Sequence, residues 1–203
     1  MALTIYGSPR SRTLRVLMFA AELDLAYQHV PLEWNDPALK QPEFLKLNPA
    51  GTIPVIVDGE VVVAESMAIC LYLAKTYGAG VPGALYPAAP GEEAEAWRWS
   101  LWAQGHLEPW VQRDLRMNDL RAAAPAQLAA MIAEPLALLE HVLGERDWLV
   151  ANRFTVADFN VASTLSPSRT ETLDLSVYGA LRAWLARCRE RPAMQAARRR
   201  FQG

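Results

Sequence analysis

A chain of 203 residues, 52% hydrophobic and 21% charged, is ordinary for a globular protein and long enough for one large domain or two small ones. A net charge of −2 excludes recognition of nucleic acid or anionic lipid by overall charge. No apolar run is long enough to cross a bilayer, and the start lacks the basic and long apolar regions of a signal peptide.

The chain opens with the β-rich run Leu3-Thr4-Ile5-Tyr6, ended by Gly7-Ser8-Pro9. The stretch from Arg12 to Leu23 has Leu14, Leu17, Met18 and Ala21 at helical spacing, which predicts an amphipathic helix. A strand is expected near Tyr27 to Leu32, then a helical patch before Asn48-Pro49-Ala50-Gly51. Two apolar runs, Val55-Ile56-Val57 and Val61-Val62-Val63, flank Asp58-Gly59-Glu60 and predict a tight hairpin. A helix over Ser66 to Tyr77 closes this part. The order β-α-β-α-β-β-α implies a mixed sheet with helices on it.

Clustered Gly and Pro between Gly78 and Gly91 mark a linker, because neither residue continues a helix or strand well. The expected division is residues 1–78, a linker at 79–90, and a helical domain at 91–203. The second part starts with a long helix from about Glu92 that carries Trp97, Trp99, Trp102 and Trp110. Another helix begins near Pro125 and contains Pro135, which should kink it. Thr155-Val-Ala-Asp158 has capping-box spacing at the head of an apolar run that stops by Ser166-Pro167. Helices over about 177–190 and 192–201 follow. The basic cluster Arg198-Arg199-Arg200 reads as a solvated helix end, with cations near the C-terminal dipole.

Cys70 and Cys188 are far apart, each within a helical pattern, so no disulfide framework is expected and the cytoplasm is the default compartment. His29, His106 and His141 are scattered, and no metal site is expected.

Two motifs carry chemistry. In Asn48-Pro-Ala-Gly-Thr-Ile53-Pro54, Pro54 opens an apolar strand. A cis Ile53–Pro54 bond would leave the Ile53 backbone able to pair with an extended peptide; the residue types equally fit a trans proline at an edge strand. Glu65-Ser66 precedes a helix. Ser66 is a good N-cap, a helix N-terminus binds anions, and Glu65 beside it suits an ammonium group. A simple cap preceded by a surface Glu fits the same residues.

The stretch Phe44-Leu-x-x-Asn48-Pro-x-Gly51-x-Ile53-Pro54, then Val61 to Ala64, Glu65-Ser66 and the Ile69 to Leu73 pattern, resembles the glutathione-binding half of soluble (cytosolic) glutathione transferases. The linker, the all-helical second half and Phe154-Thr155-x-Ala157-Asp158 are similar to the same family over nearly the whole chain. The resemblance implies an α/β thioredoxin-like N-terminal domain with a mixed four-stranded sheet, a cis bond before Pro54, and an all-α C-terminal domain. It assigns the Ile53 backbone, beside Pro54, to the cysteinyl part of glutathione. Glu65 and Ser66 go to the γ-glutamyl amine and carboxylate, and Lys40 to the glycyl carboxylate.

Thiol activation calls for a hydroxyl near the start of the first helix, since the thiolate is the nucleophile and a free thiol titrates near ~8.5. Ser11, four residues before Arg15-Val16, resembles the bacterial, serine-type members and is the leading catalytic candidate, ahead of Tyr6 and Ser8. No cysteine lies in this loop, which disfavours the cysteine-type reductase branches. The resemblance further implies that glutathione acts as co-substrate with no separate cofactor. A small hydrophobic electrophile and a second copy of the chain, in a homodimer, are the expected partners. A co-substrate pocket between the domains is expected, and Trp102, His106 and Trp110 fit its lining; core packing of the tryptophans and an ordinary helix position for His106 fit the same residues and are preferred. A glutathione-dependent peroxidase or reductase and a non-enzymatic binding or assembly module are the alternative functions.

Overall fold

The computed structural model describes residues 3–79, 83–111, 125–166 and 173–202. The chain forms two compact units. One comprises residues 1–79 with 190–203, and the other residues 80–189. Residues 80–82 of the expected linker, and Pro167, lie outside the described residues.

The first unit runs β1 (Leu3–Tyr6), α1 (Thr13–Glu22), β2 (Tyr27–Val30), a 3₁₀ turn (Pro37–Lys40), α2 (Pro42–Leu47), β3 (Val55–Asp58), β4 (Val61–Ala64) and α3 (Ser66–Tyr77). The four strands form one mixed sheet in the order β2-β1-β3-β4. β1 pairs parallel with β2 and antiparallel with β3, and β3 pairs antiparallel with β4 through the two-residue turn Gly59-Glu60. Gly59 sits at φ +63, the left-handed region such a turn requires.

Helix α1 is buried more completely than its predicted apolar face. Thr13, Arg15, Val16, Leu17, Met18, Phe19 and Ala20 are all buried, whereas Leu14 and Ala21 are only half-buried. The reason is that α1 is covered on more than one side, by β1, by α3 and by the last helix of the chain, α9 (Pro192–Gln202). Arg191, just before α9, donates to Glu22 at the end of α1 at 2.8 Å, and the Glu22 side chain is 3% exposed. Arg199 and Arg200 are exposed in the last turn of α9, as expected for a solvated helix end.

The described residues of the second unit form helices joined by turns, with no strand among them. Helix α4 (Pro90–Trp102) continues through a π-helical turn (Ala103–Leu107) into α5 (Glu108–Val111). Then follow α6 (Pro125–Glu145), which runs through Pro135, α7 (Val156–Thr164) and α8 (Gly179–Arg189). The predicted capping box is present at α7. The Thr155 hydroxyl accepts from the Ala157 N–H, and Asp158 Oδ2 accepts from the Thr155 N–H at 3.0 Å. Asp158 Oδ1 accepts two more bonds, from the Leu149 N–H and the Trp184 indole, each at 2.9 Å. Burial pushes the Asp158 carboxyl above its ordinary value, and these donors pull it back. One carboxylate therefore ties together the chain before α7, α7 itself and α8 at the centre of the unit.

Candidate functional site

Sheet register gathers the candidate residues of the first unit at one end. Tyr6 stands opposite Val55, and Val55 opposite Ala64. The residues just beyond this row are Gly7, Pro54 and Glu65. The β1–α1 loop, the loop before β3 and the start of α3 therefore emerge side by side. Beneath them Leu39, Phe44 and Val55 form a buried cluster against which Tyr6, Ile53 and Ala64 pack.

The Ile53–Pro54 bond is cis. The loop before it is braced by the buried Asn48, whose amide donates to the Thr52 carbonyl at 2.9 Å and whose oxygen accepts from the Ala50 N–H. Lys40 caps the same loop, its ammonium donating to the carbonyls of Ala50 at 3.3 Å and Gly51 at 3.1 Å. Gly51 is required here. Its φ is +59, and a Cβ would lie 2.6 Å from Lys40 Nζ and 2.8 Å from the Leu39 carbonyl. An ammonium has three donors, so Lys40 retains one beyond these two carbonyls.

At α3 the structure corrects one expectation. The N-cap is Glu65, not Ser66, and its side chain makes no capping bond. Glu65 is held at φ 67, ψ 113, a conformation a non-glycine residue adopts only under constraint, and such strain concentrates at functional sites. Ser66 is the first helical residue and is buried. Its hydroxyl accepts from Arg15 Nη1 at 2.7 Å instead of capping the helix. Reading Ser66 as a cap missed this because the partner lies 51 residues away. No side chain caps the start of α3, where Glu65 is exposed.

In the β1–α1 loop, the Ser11 hydroxyl donates to the Ser8 carbonyl at 2.7 Å. It also accepts from the Thr13 N–H at 3.1 Å and pairs with Thr13 Oγ1 at 2.8 Å. Thr13 is fully buried and was not singled out by the sequence reading. With the Ser11 proton directed to Ser8, both Thr13 groups donate to Ser11, and donation into a hydroxyl oxygen makes it a better donor in turn. Ser8 is buried and gives its own proton to Glu33 Oε1 at 2.9 Å. The Tyr6 ring packs edge-on against Phe44, with centroids 6.2 Å apart. Gly7 makes the loop's close approach possible: at φ +130, a Cβ there would lie 2.1 Å from Thr13 Oγ1 and 3.0 Å from Ile53 Cβ.

The second unit holds an open cavity of about 560 Å³ lined by Trp102, His106, Trp110, Met131, Glu134 and Pro135, among others. Trp102, His106 and Trp110 therefore line one cavity, which is formed within the second unit.

Residues 1–75 match the family model "Glutathione S-transferase, N-terminal domain", and residues 103–192 match "Glutathione S-transferase, C-terminal domain". Glutathione S-transferase 3 of Zea mays is 33% identical over 208 residues, covering 95% of this chain and 91% of the relative. The chain belongs to the glutathione S-transferase family. Within it, the chain is also 29% identical over 203 residues to the disulfide-bond oxidoreductase YfcG of Escherichia coli (strain K12), covering 93% and 91% of the two chains. The structure of the glutathione transferase URE2P8 from Phanerochaete chrysosporium, solved with oxidized glutathione, superposes with a TM-score of 0.83 at 22% identity. That match covers 98% of this chain and 95% of the other, and it shows the shared fold. As a glutathione S-transferase, the chain is a transferase enzyme with a thioredoxin-like N-terminal domain and a helical C-terminal domain.

Proposed function

We propose that this enzyme is a serine-type glutathione transferase that binds glutathione, stabilises its thiolate and conjugates it to a small hydrophobic electrophile. The observation that carries the reading is the end of the sheet where three loops meet: Ser11 in one, the Ile53 backbone beside cis-Pro54 in the second, and Glu65-Ser66 at an uncapped helix start in the third.

An extended glutathione pairs its cysteinyl amide with the Ile53 N–H and C=O. Its γ-glutamyl ammonium meets Glu65, its γ-glutamyl carboxylate meets Ser66 and the N–H groups of α3, and its glycyl carboxylate meets the third donor of Lys40. The sulfur then lies at the β1–α1 loop. Ser11 turns its proton from the Ser8 carbonyl to the sulfur while Thr13 continues to donate to its oxygen. A hydroxyl bond to an anion contributes about 1.5–3 kcal/mol, and at ~1.36 kcal/mol per unit this lowers the thiol pKa by roughly one to two units. The thiolate attacks the electrophilic carbon, and the C–S bond forms as the leaving group departs or a π-electron pair moves to the activating group. The thiol proton goes to solvent.

The aromatic lining of the second unit's cavity supports a small hydrophobic co-substrate. Large apolar side chains exposed at helical spacing, Trp97 and Leu101 on α4 and Met131 and Leu138 on α6, support a homodimer. No helix among the described residues is long and apolar enough to cross a membrane; a cytoplasmic, detoxifying role accords with this reading.

The test is retention on immobilised glutathione, elution by free glutathione, and turnover with a panel of chromogenic electrophiles. Retention and turnover of at least one electrophile are expected; no retention contradicts the reading. The likeness to YfcG raises a second reading, a glutathione-dependent reductase. Turnover of a disulfide substrate without conjugation of any electrophile would favour it.

A further inference from the structure

Arg15 lies in the first turn of α1, is 4% exposed, and places a cation inside the first unit. Its Nη1 donates to Ser66 Oγ at 2.7 Å, and Ser66 is equally buried. A guanidinium only donates, whereas a serine hydroxyl has one proton and two acceptor positions. This contact therefore occupies an acceptor position of Ser66 and bars the Ser66 proton from pointing at Arg15. The proton is left for another acceptor, and donation from a charged group strengthens it as a donor. Ser66 is also the first residue of α3, so the Arg15 charge adds to the positive end of that helix.

We propose that Arg15 is a positioning residue that fixes the Ser66 hydroxyl as a donor and makes this end of the site select a carboxylate over a neutral group. It rests on the glutathione reading above and assigns to Arg15 the charge specificity at the γ-glutamyl α-carboxylate. Arg15 acts through Ser66 and does not touch the sulfur, so its loss falls on KM for glutathione and not on kcat at saturation.

The experiment measures calorimetric affinity for glutathione and for its analogue with the γ-glutamyl α-carboxylate converted to a carboxamide. The wild-type chain is expected to prefer glutathione by about tenfold or more. Arg15→Met, a neutral side chain of similar length, should lower glutathione affinity by about tenfold and carboxamide affinity by less than about twofold. Arg15→Lys should restore part of the carboxylate preference. In a Ser66→Ala background, Arg15→Met should change glutathione affinity by less than about twofold, because the pair acts as one unit. Equal weakening of both peptides by Arg15→Met, or a full additive effect in the Ser66→Ala background, overturns the inference. If the Met variant does not fold, Arg15→Lys and Ser66→Ala decide it: preference kept in the first and lost in the second supports it, and preference kept in Ser66→Ala overturns it. A wild-type chain that binds neither peptide overturns the glutathione reading itself, whereas one that binds both equally overturns only the role of Arg15.

Discussion

Trp184 donates its indole N–H to Asp158 Oδ1 at 2.9 Å, although the two residues are 26 positions apart on different helices. The same carboxylate holds the Leu149 N–H and the Thr155 N–H and hydroxyl. Asp158→Ala orphans these buried donors, and each costs about 1–3 kcal/mol when left unsatisfied. The variant should lose roughly 3 kcal/mol or more of stability while its folded fraction keeps the wild-type kcat. Denaturant unfolding and active-fraction kinetics check this; wild-type melting with lost turnover would show Asp158 to be a functional residue.

Lys40 is exposed, and exposed charge pairs contribute only about 0.2–1 kcal/mol and weaken with salt. Lys40→Ala should therefore raise KM for glutathione by only about two- to fivefold. The effect should shrink at high ionic strength, and it should be absent with γ-glutamylcysteine, which lacks the glycyl carboxylate. Equal weakening of both peptides would place Lys40 in a loop-bracing role through Ala50 and Gly51 alone.

The elements of the first unit were legible from short-range patterns: alternating apolar runs, a Gly-containing two-residue turn, and Pro54 at a strand start. Thr155 and Asp158 were legible for the same reason, since a capping box spans only four residues. Arg15, Thr13 and the true cap at Glu65 were not. A charged residue on a helix reads as solvent-facing unless its burial partner is known, and Ser66 stands 51 residues away. Ser66 has the chemistry of a cap, but Glu65, at positive φ, holds the cap position and Ser66 is the first helical residue. For Arg15 the partner is a tertiary contact, whereas Thr13 bonds to Ser11 only two residues away and carries no sequence pattern that marks it.

Cys70 is fully buried, and burial pushes its thiol from 9.0 to about 12, with Arg15 pulling weakly the other way. Because the folded value is the higher, this group's contribution to stability is intact below pH 9.0 and is lost as pH rises toward about 12. Cys70 should resist a thiol reagent in the native chain at neutral pH and react on unfolding. Rapid native labelling, located by peptide mapping, would contradict the burial.

Leu101 is 69% exposed on α4, one turn from Trp97. Leu101→Glu should convert a dimer into a monomer by light scattering without lowering the unfolding midpoint of the monomer. A wild-type chain that is monomeric at micromolar concentration would remove the homodimer from the account.

The hydroxyl that activates the thiol is identified most directly by the ultraviolet absorbance of the thiolate of bound glutathione as a function of pH. Only ionised sulfur gains substantially from a hydroxyl donor, so Ser11→Ala should raise the thiol pKa by roughly one to two units. Turnover at neutral pH should fall in parallel, with glutathione affinity little changed, since Ile53, Glu65 and Ser66 supply most contacts. Tyr6→Phe, which removes a hydroxyl from a ring packed against Phe44, should leave the thiol pKa where it was. A raised pKa in Tyr6→Phe with none in Ser11→Ala would contradict the serine-type mechanism.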